Sequence, residues 1–189
     1  QYVVPKVEAN ELPVMRALAG HLDSMSLNSV EVSALLHRLD GEMVDWKHDP
    51  TPPREEAERM DRMTEGADKL LETMQLSRVH LHGYEGDLLV TTEDIDPERQ
   101  VLAHMRARQI ASMKTTNESG EIRSAEDMWP VAPTVKGTGL VAAEQFADEM
   151  QRRYGLSDGE RDQVAERWWF KDADSGRTYV FAPSRGIHD

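Results

Sequence analysis

The sequence predicts an α+β fold, because its apolar residues follow helical spacing in some segments and strand-like alternation in others. Over 189 residues, these segments define an N-terminal antiparallel helical hairpin, a central β-hairpin and helix, and a C-terminal helix pair with an aromatic β-hairpin. A chain of this length buries about 70% of its extended surface on folding. The predicted fold therefore needs no disulfide to hold its core.

The first arm of the helical hairpin begins at a capping box. Asn28 and Glu31 have the spacing at which each side chain caps the other's backbone N–H, and apolar residues follow every three or four positions as far as Trp46. A shorter helix precedes this arm, with Asn10 as its N-cap and Met25 at the end of its apolar face. Both segments are predicted to be helical.

The second arm runs from about residue 52 to residue 75, after a proline-rich break. Met60, Met63 and Met74 recur on one seam of this arm with helical spacing. One interpretation is that the seam packs against the first arm inside the chain. Because flexible thioethers adapt to irregular surfaces, the seam also suits a protein partner or a second copy of the chain. The three methionines are therefore candidate partner-binding residues.

The centre of the chain changes from helical to alternating spacing. Residues 78–84 and 88–92 predict a β-hairpin that turns at residues 85–87. A locally basic helix begins at Asp96-Pro97-Glu98. Residues 115–127 are polar and lack periodicity, so they predict a flexible loop.

The C-terminal part combines two helices with a hairpin rich in aromatic residues. The helices are predicted near residues 140–154 and 158–168, and the hairpin that follows holds five of the eleven aromatic residues. Trp168, Trp169 and Tyr179 in this hairpin are further candidate partner-binding residues, because exposed aromatic side chains often anchor interfaces. The same order of elements also fits a winged-helix-like nucleic-acid-binding module.

These elements divide the chain into three regions. Residues 1–114 hold the helical hairpin with the β-hairpin and helix, residues 115–127 form the loop, and residues 128–189 form a small α+β region. An independent C-terminal domain and a core shared with the first region are both open. We favour the shared core, because neither region has many strands of its own.

Charge and composition limit the classes of partner and chemistry. A formal net charge of −13 repels nucleic-acid phosphates and anionic lipid surfaces, so nucleic acid and membrane partners are disfavoured. The absence of cysteine removes disulfides, thiolate nucleophiles and cysteine-ligated metals. No stretch is apolar enough to predict a membrane span, and we expect a cytoplasmic location.

The strongest metal-binding pattern is the pair His80 and His82 in the central hairpin. Alternation along a strand directs both imidazoles to one face, about 7 Å apart, where they could share a divalent metal. Glu85, Asp87 and His104 are possible additional ligands. The other interpretation is an exposed polar face of a half-buried hairpin that binds no cofactor.

The preferred functional hypothesis is a non-enzymatic, protein-binding component: a regulatory, assembly or adaptor protein of viral or bacterial origin. It depends on the surplus of amphipathic and aromatic surface and on the lack of converging catalytic residues. A metal-dependent hydrolase or nuclease that uses His80, His82 and nearby carboxylates is the alternative. A winged-helix-like nucleic-acid-binding module is the third hypothesis.

Overall fold

A five-stranded sheet with helices on both faces forms the framework of the protein, which confirms the predicted α+β class. The computed structural model describes residues 12–41, 44–116 and 137–184. The described helices are α1 (Leu12–Leu18), α2 (Ser29–Leu39), α3 (Arg54–Ala57), α4 (Met60–Met74), α5 (Pro97–Thr116), α6 (Gly137–Tyr154) and α7 (Asp158–Arg167). The described strands are β1 (Ser24–Asn28), β2 (Arg78–His82), β3 (Gly86–Thr91), β4 (Trp169–Lys171) and β5 (Thr178–Pro183).

Helix α2 begins as the sequence predicts but ends earlier. The capping box is formed, with Asn28 accepting from the Glu31 N–H and Glu31 accepting from the Asn28 N–H, each at 2.8 Å. The helix ends at Leu39, and Gly41 follows with φ +74°, a conformation that costs glycine little. Trp46 therefore lies beyond the helix, yet its side chain is buried and its backbone N–H donates to Asp40 Oδ1 at 2.8 Å.

The second predicted arm is two helices instead of one. The chain leaves the helical path after α3, and Glu58 there accepts hydrogen bonds from the Arg54 side chain and the Tyr84 backbone N–H, both at 2.9 Å. Helix α4 then continues to Gln75, which ends it in the left-handed conformation. Helices α2 and α4 pack against each other, so the predicted pair of helices is present in a shorter form.

Strand β1 was not predicted, and Met25 lies in it instead of on a helix. The strand pairs in parallel with β2, from Ser24 opposite Arg78 to Asn28 opposite His82. Parallel pairing needs a crossover connection, which helices α2 to α4 supply here. Leu27 is the one buried residue of this edge strand, so its alternation is too weak to recognise in the sequence.

The predicted aromatic hairpin joins the central hairpin in the same sheet. The strand order is β1-β2-β3-β5-β4, and β5 is antiparallel to both β3 and β4. Since β5 is hydrogen-bonded on both edges, this hairpin is not the free wing of a winged helix. Strands from residues 1–114 and from residues 128–189 thus share one sheet.

The two faces of the sheet carry different cores. The larger apolar cluster lies between one face and helices α2, α4 and α6, and includes Leu81, Leu88 and Phe181. On the opposite face, α5 contributes Val101 and Met105 to a smaller cluster with Leu89, Val180 and Ala182. Alternation along the strands separates the two sets.

Some predicted features lie outside the described residues. Asn10 is one of them, and so is the part of the predicted loop after residue 116. Residues 115 and 116 are the last two of α5. Among the helices that the structure describes, none combines the length and apolar character of a bilayer span.

Candidate functional site

The sheet face beneath α5 holds a cluster of histidine, aspartate and arginine side chains, called here the histidine cluster: His80, His82, Asp87, His104 and Arg108. Its position follows from simple periodicities. Since Val79 and Leu81 face the larger core, alternation directs the two β2 histidines to the opposite face, and the register places Asp87 opposite His82. His104 and Arg108 lie one helical turn apart on α5, on the side that faces the sheet.

An ion pair between Asp87 and Arg108 connects the sheet to the helix. Arg108 Nε donates to Asp87 Oδ2 and Nη2 donates to Oδ1, both at 2.7 Å, and Nη2 also donates to the Gly83 carbonyl. The Asp87 side chain is only 6% exposed. Burial raises the pKa of this carboxyl, but hydrogen bonds from His82 and Arg108 and the arginine charge outweigh it and leave the pKa well below its ordinary value. Asp87 is therefore an anion throughout the physiological range.

The imidazole of His80 contacts the other two imidazoles of the cluster. The ring centre of His80 lies 4.1 Å from that of His82 and 4.4 Å from that of His104, both edge to face. Burial lowers the pKa of His80 to about 3, and repulsion by the neighbouring histidines adds to this effect. Burial also lowers the pKa of His104. The unprotonated ring nitrogens needed for metal binding are thus present at neutral pH.

His82 lies at the exposed rim of the cluster. Its Nε2 shares a hydrogen bond of 2.7 Å with Ser26 Oγ of β1, and its Nδ1 lies 3.4 Å from Asp87 Oδ1. The side chain is 52% exposed, against 23% for His80. His82 therefore separates the buried cluster from solvent.

One potential ligand atom from each of His80, Asp87 and His104 lies within 4.8 Å of the other two. His80 Nε2 is buried and has no hydrogen-bond partner among the residues that the structure describes. Two imidazole nitrogens and one carboxylate oxygen suit zinc and related transition metals, whereas Mg²⁺ prefers oxygen ligands alone. The cluster thus joins the predicted metal residue His80 to two further donors and leaves His82 beside them.

The candidate partner-binding residues lie mostly inside the fold. Met60, Met63, Met74 and Tyr179 are at most 5% exposed and belong to the larger core, so in this structure they fill space between the helices and the sheet. Trp168 and Trp169 are half-buried, with Arg167 stacked 4.0 Å above the Trp169 ring. The hydroxyl of Tyr179 donates a hydrogen bond to the buried carboxylate of Asp68 at 2.8 Å.

Arg108 is the member of the cluster that the sequence analysis missed. A signal for it existed: Val101, His104, Met105 and Arg108 are spaced by three and four residues, so they share one face of α5. The helix was interpreted as basic and exposed because its arginines were considered together. In the structure Arg108 pairs with Asp87, whereas Arg106 is exposed.

Apart from the histidine cluster, the described residues form a cleft between the start of α4 and helix α6, called here the acidic cleft. It has a volume of about 340 Å³, and its charged lining consists of Arg59, Asp61, Asp148, Glu149 and Arg152. Arg59 is paired with Asp61 and Arg152 with Glu149, both at 2.7 Å. With acids in excess and the arginines neutralised, this cleft does not suit an anionic ligand.

Several solved structures of kinases share this fold. An ADP-dependent kinase in complex with fructose-6-phosphate and ADPβS has a TM-score of 0.66 at 23% identity, over 91% of this chain and 35% of its own. The last common ancestor of ADP-dependent phosphofructokinases from Methanosarcinales has a TM-score of 0.67 at 21% identity, over 95% and 36%. A phosphofructokinase from Pyrococcus horikoshii OT3 with AMP has 0.64 at 14%, over 96% and 35%.

The sequence itself identifies the family. Residues 11–150, well over half of the chain, match the model of the ADP-specific phosphofructokinase/glucokinase conserved region. The chain therefore belongs to the ADP-specific phosphofructokinase/glucokinase family. It spans about a third of the length of the solved structures that it resembles. Among curated proteins, none matches it closely enough to count as a relative.

Family membership overturns the functional hypotheses drawn from the sequence. A non-enzymatic regulatory, assembly or adaptor protein is wrong, because the family consists of sugar kinases. The expectation that the protein is not an enzyme is wrong for the same reason. Family membership also contradicts the two other hypotheses, the metal-dependent hydrolase or nuclease and the winged-helix-like module. The apolar and aromatic surface that suggested a binding protein is used inside the fold.

Proposed function

We propose that this chain is part of a kinase that transfers the terminal phosphoryl group of ADP to a sugar or a sugar phosphate. The observation that carries the proposal is the family match over residues 11–150, which include α1 to α5 and β1 to β3. The fold it shares with ADP-dependent kinases supports the same activity.

Within such a kinase, the described residues act as framework. Phosphoryl transfer depends on positive charge held around the phosphates. This chain carries a net charge of −13, the acidic cleft has more acidic than basic residues, and Arg108 forms an ion pair with Asp87. We therefore assign no phosphate contact to this cleft or to Arg108. The histidine cluster does not fit the Mg²⁺ that phosphoryl transfer commonly uses, so no step of the transfer is assigned to it.

An assay of AMP formation tests the activity. The protein is isolated from its natural source and incubated with ADP, Mg²⁺ and either glucose or fructose 6-phosphate, and AMP and the phosphorylated sugar are measured together. Both products should form in equal amounts, because one phosphoryl group leaves ADP for each sugar oxygen that it joins. The ratio of the two rates then identifies the preferred acceptor.

Two controls make the assay specific. ATP replaces ADP in one reaction and should support little transfer, and the sugar is omitted in another, where AMP should not accumulate. AMP that forms at the same rate without sugar indicates hydrolysis and contradicts the proposal. Transfer from ATP alone would contradict the ADP specificity.

A further inference from the structure

We propose that His80, Asp87 and His104 bind one divalent transition metal ion, with zinc the best fit, between the sheet and helix α5. This site is separate from the proposed kinase activity and does not depend on it. Each ligand comes from a different element: β2, β3 and α5. An ion held by all three would join two strands to the helix that covers them.

The geometry is close to that of a bound metal. The three donor atoms lie within 4.8 Å of one another. Around tetrahedral zinc, with ligand distances of about 2.0–2.2 Å, donor atoms are separated by roughly 3.4 Å. The longest separation would therefore shorten by about 1.4 Å, divided between side chains that rotate by small angles. A water molecule or His82, at the exposed rim, completes the coordination.

The unpartnered nitrogen of His80 supports this assignment. Within the described part of the chain, His80 Nε2 is buried without a hydrogen bond, although buried polar atoms nearly always have a partner. It lies 4.0 Å from Asp87 Oδ2, too far for a hydrogen bond but suitable for an ion between the two atoms.

Arg108 orients the carboxylate that the metal would use. Its two hydrogen bonds to Asp87 occupy one lone pair on each oxygen, and Oδ2, the oxygen nearer His80 Nε2, has a second lone pair for the metal. Groups that hydrogen-bond to metal ligands commonly fix their orientation in this way. The arginine charge also repels a cation, so we expect weaker binding than at a closed site with four protein ligands.

The test measures metal binding in the absence of nucleotide and sugar. The full 189-residue chain, without a histidine tag, is stripped with a chelator, exchanged into metal-free buffer and titrated with Zn²⁺ by calorimetry. We expect one zinc per chain and a higher melting temperature with zinc, because an ion that binds only the folded state stabilises it. Co²⁺ in place of zinc should give the visible absorption of a four-coordinate site with nitrogen ligands.

Variants locate the ion. His104→Asn and His80→Asn should each weaken zinc binding at least tenfold, and each is checked for folding by circular dichroism. His37→Asn is the matched control, because His37 is exposed on α2 and lies far from the cluster in the fold. This variant should bind zinc as the parent chain does.

Three results would overturn the proposal. They are no stoichiometric zinc binding, equal zinc affinity in a folded ligand variant and the parent chain, and loss of zinc binding in His37→Asn. If one ligand variant fails to fold, the other decides the question. Failure here leaves the kinase assay untouched, and failure of that assay leaves zinc binding untouched, since neither measurement shares a reagent with the other beyond the protein.

Discussion

The two faces of the sheet are built on different principles. Toward α2, α4 and α6 the strands present a continuous apolar surface that reaches from Leu27 on the edge strand to Phe181 on β5. Toward α5 the same strands present three apolar residues, which form a small cluster with two from the helix, and the histidine cluster lies beside them. Each face also holds a buried carboxylate: Asp68 of α4 pairs with Arg153 and Arg177 on the first face, and Asp87 of β3 pairs with Arg108 on the second.

The buried carboxylates of the two faces differ in their surroundings. Asp68 lies on helix α4 and accepts hydrogen bonds from Arg153, Arg177 and Tyr179. Asp87 lies on the central strand of the sheet and has two histidines beside it as well as Arg108. Such an arrangement is expensive to desolvate and is therefore weak evidence for stability. We relate the Asp87 carboxylate to the metal site proposed above, because donor atoms of His80 and His104 lie beside it.

The largest effect is expected from breaking the ion pair. Arg108→Met leaves the Asp87 carboxylate, which is 6% exposed, without its cation, and removing one partner of a buried pair costs about 3–5 kcal/mol. The free energy of unfolding is measured by urea denaturation in the presence of a chelator. Adding Asp87→Asn to this variant should restore part of the loss.

Arg99→Met is the control for that experiment. It makes the same change on the same helix, but Arg99 is 86% exposed in its contact with Asp96, so the loss should be at most about 1 kcal/mol. Equal losses of stability for Arg99→Met and Arg108→Met would mean that the Asp87–Arg108 pair stabilises the fold no more than an exposed ion pair does.

A smaller difference is expected between two neighbouring leucines of β3. Leu88 faces the larger core and Leu89 the smaller one, at 0% and 2% exposure, so Leu88→Ala and Leu89→Ala make the same change on opposite faces. Buried leucine-to-alanine changes cost about 2–5 kcal/mol, and more where the surroundings cannot close the cavity. We expect Leu88→Ala near the upper end and Leu89→Ala near the lower end, in the same urea assay.

The converse result is informative. A larger loss for Leu89→Ala would show that α5 depends on this leucine more than the three-helix layer depends on Leu88. The face beneath α5 would then be the one whose packing contributes more to stability.

The smallest effect is expected from adding one methyl group to the apolar face. In Gly86→Ala, the new Cβ would lie 2.1 Å from Phe181 Cζ, so the ring must move, at a cost of about 1–3 kcal/mol. Gly159→Ala in α7 is the control, because its Cβ meets no atom within 4 Å, and it should be neutral or gain up to about 1 kcal/mol. Thermal unfolding of both variants measures the difference. An unchanged melting temperature in Gly86→Ala would mean that the ring has room to move.

Local patterns in the sequence predicted much of this framework. The capping box at Asn28 placed the start of α2, and alternation over residues 78–92 placed the β2–β3 hairpin together with the side of the sheet that His80 and His82 share. These features depend on neighbours within a few residues, which is the range over which a single sequence carries a physical signal.

Features that depend on distant contacts were missed. Strand β1 has one buried residue and forms because β2 is there to pair with it, 54 positions along the chain. The approach of His104 and Arg108 to Asp87 depends on how α5 lies across the sheet, which spacing does not specify. The partner-binding hypothesis failed because amphipathic surface has the same appearance whether another molecule or the chain's own sheet covers it.

The position of β5 between β3 and β4 has a consequence for biosynthesis. Until residues 178–183 leave the ribosome, β3 has an open edge from Gly86 to Thr91 that no later strand has yet covered. Unpaired edges of apolar strands are sites of aggregation, and pairing between distant segments is slow. A chain whose synthesis pauses after α7 would therefore be prone to aggregate through the β3 edge. A chaperone that shields this edge during translation would raise the yield of native protein.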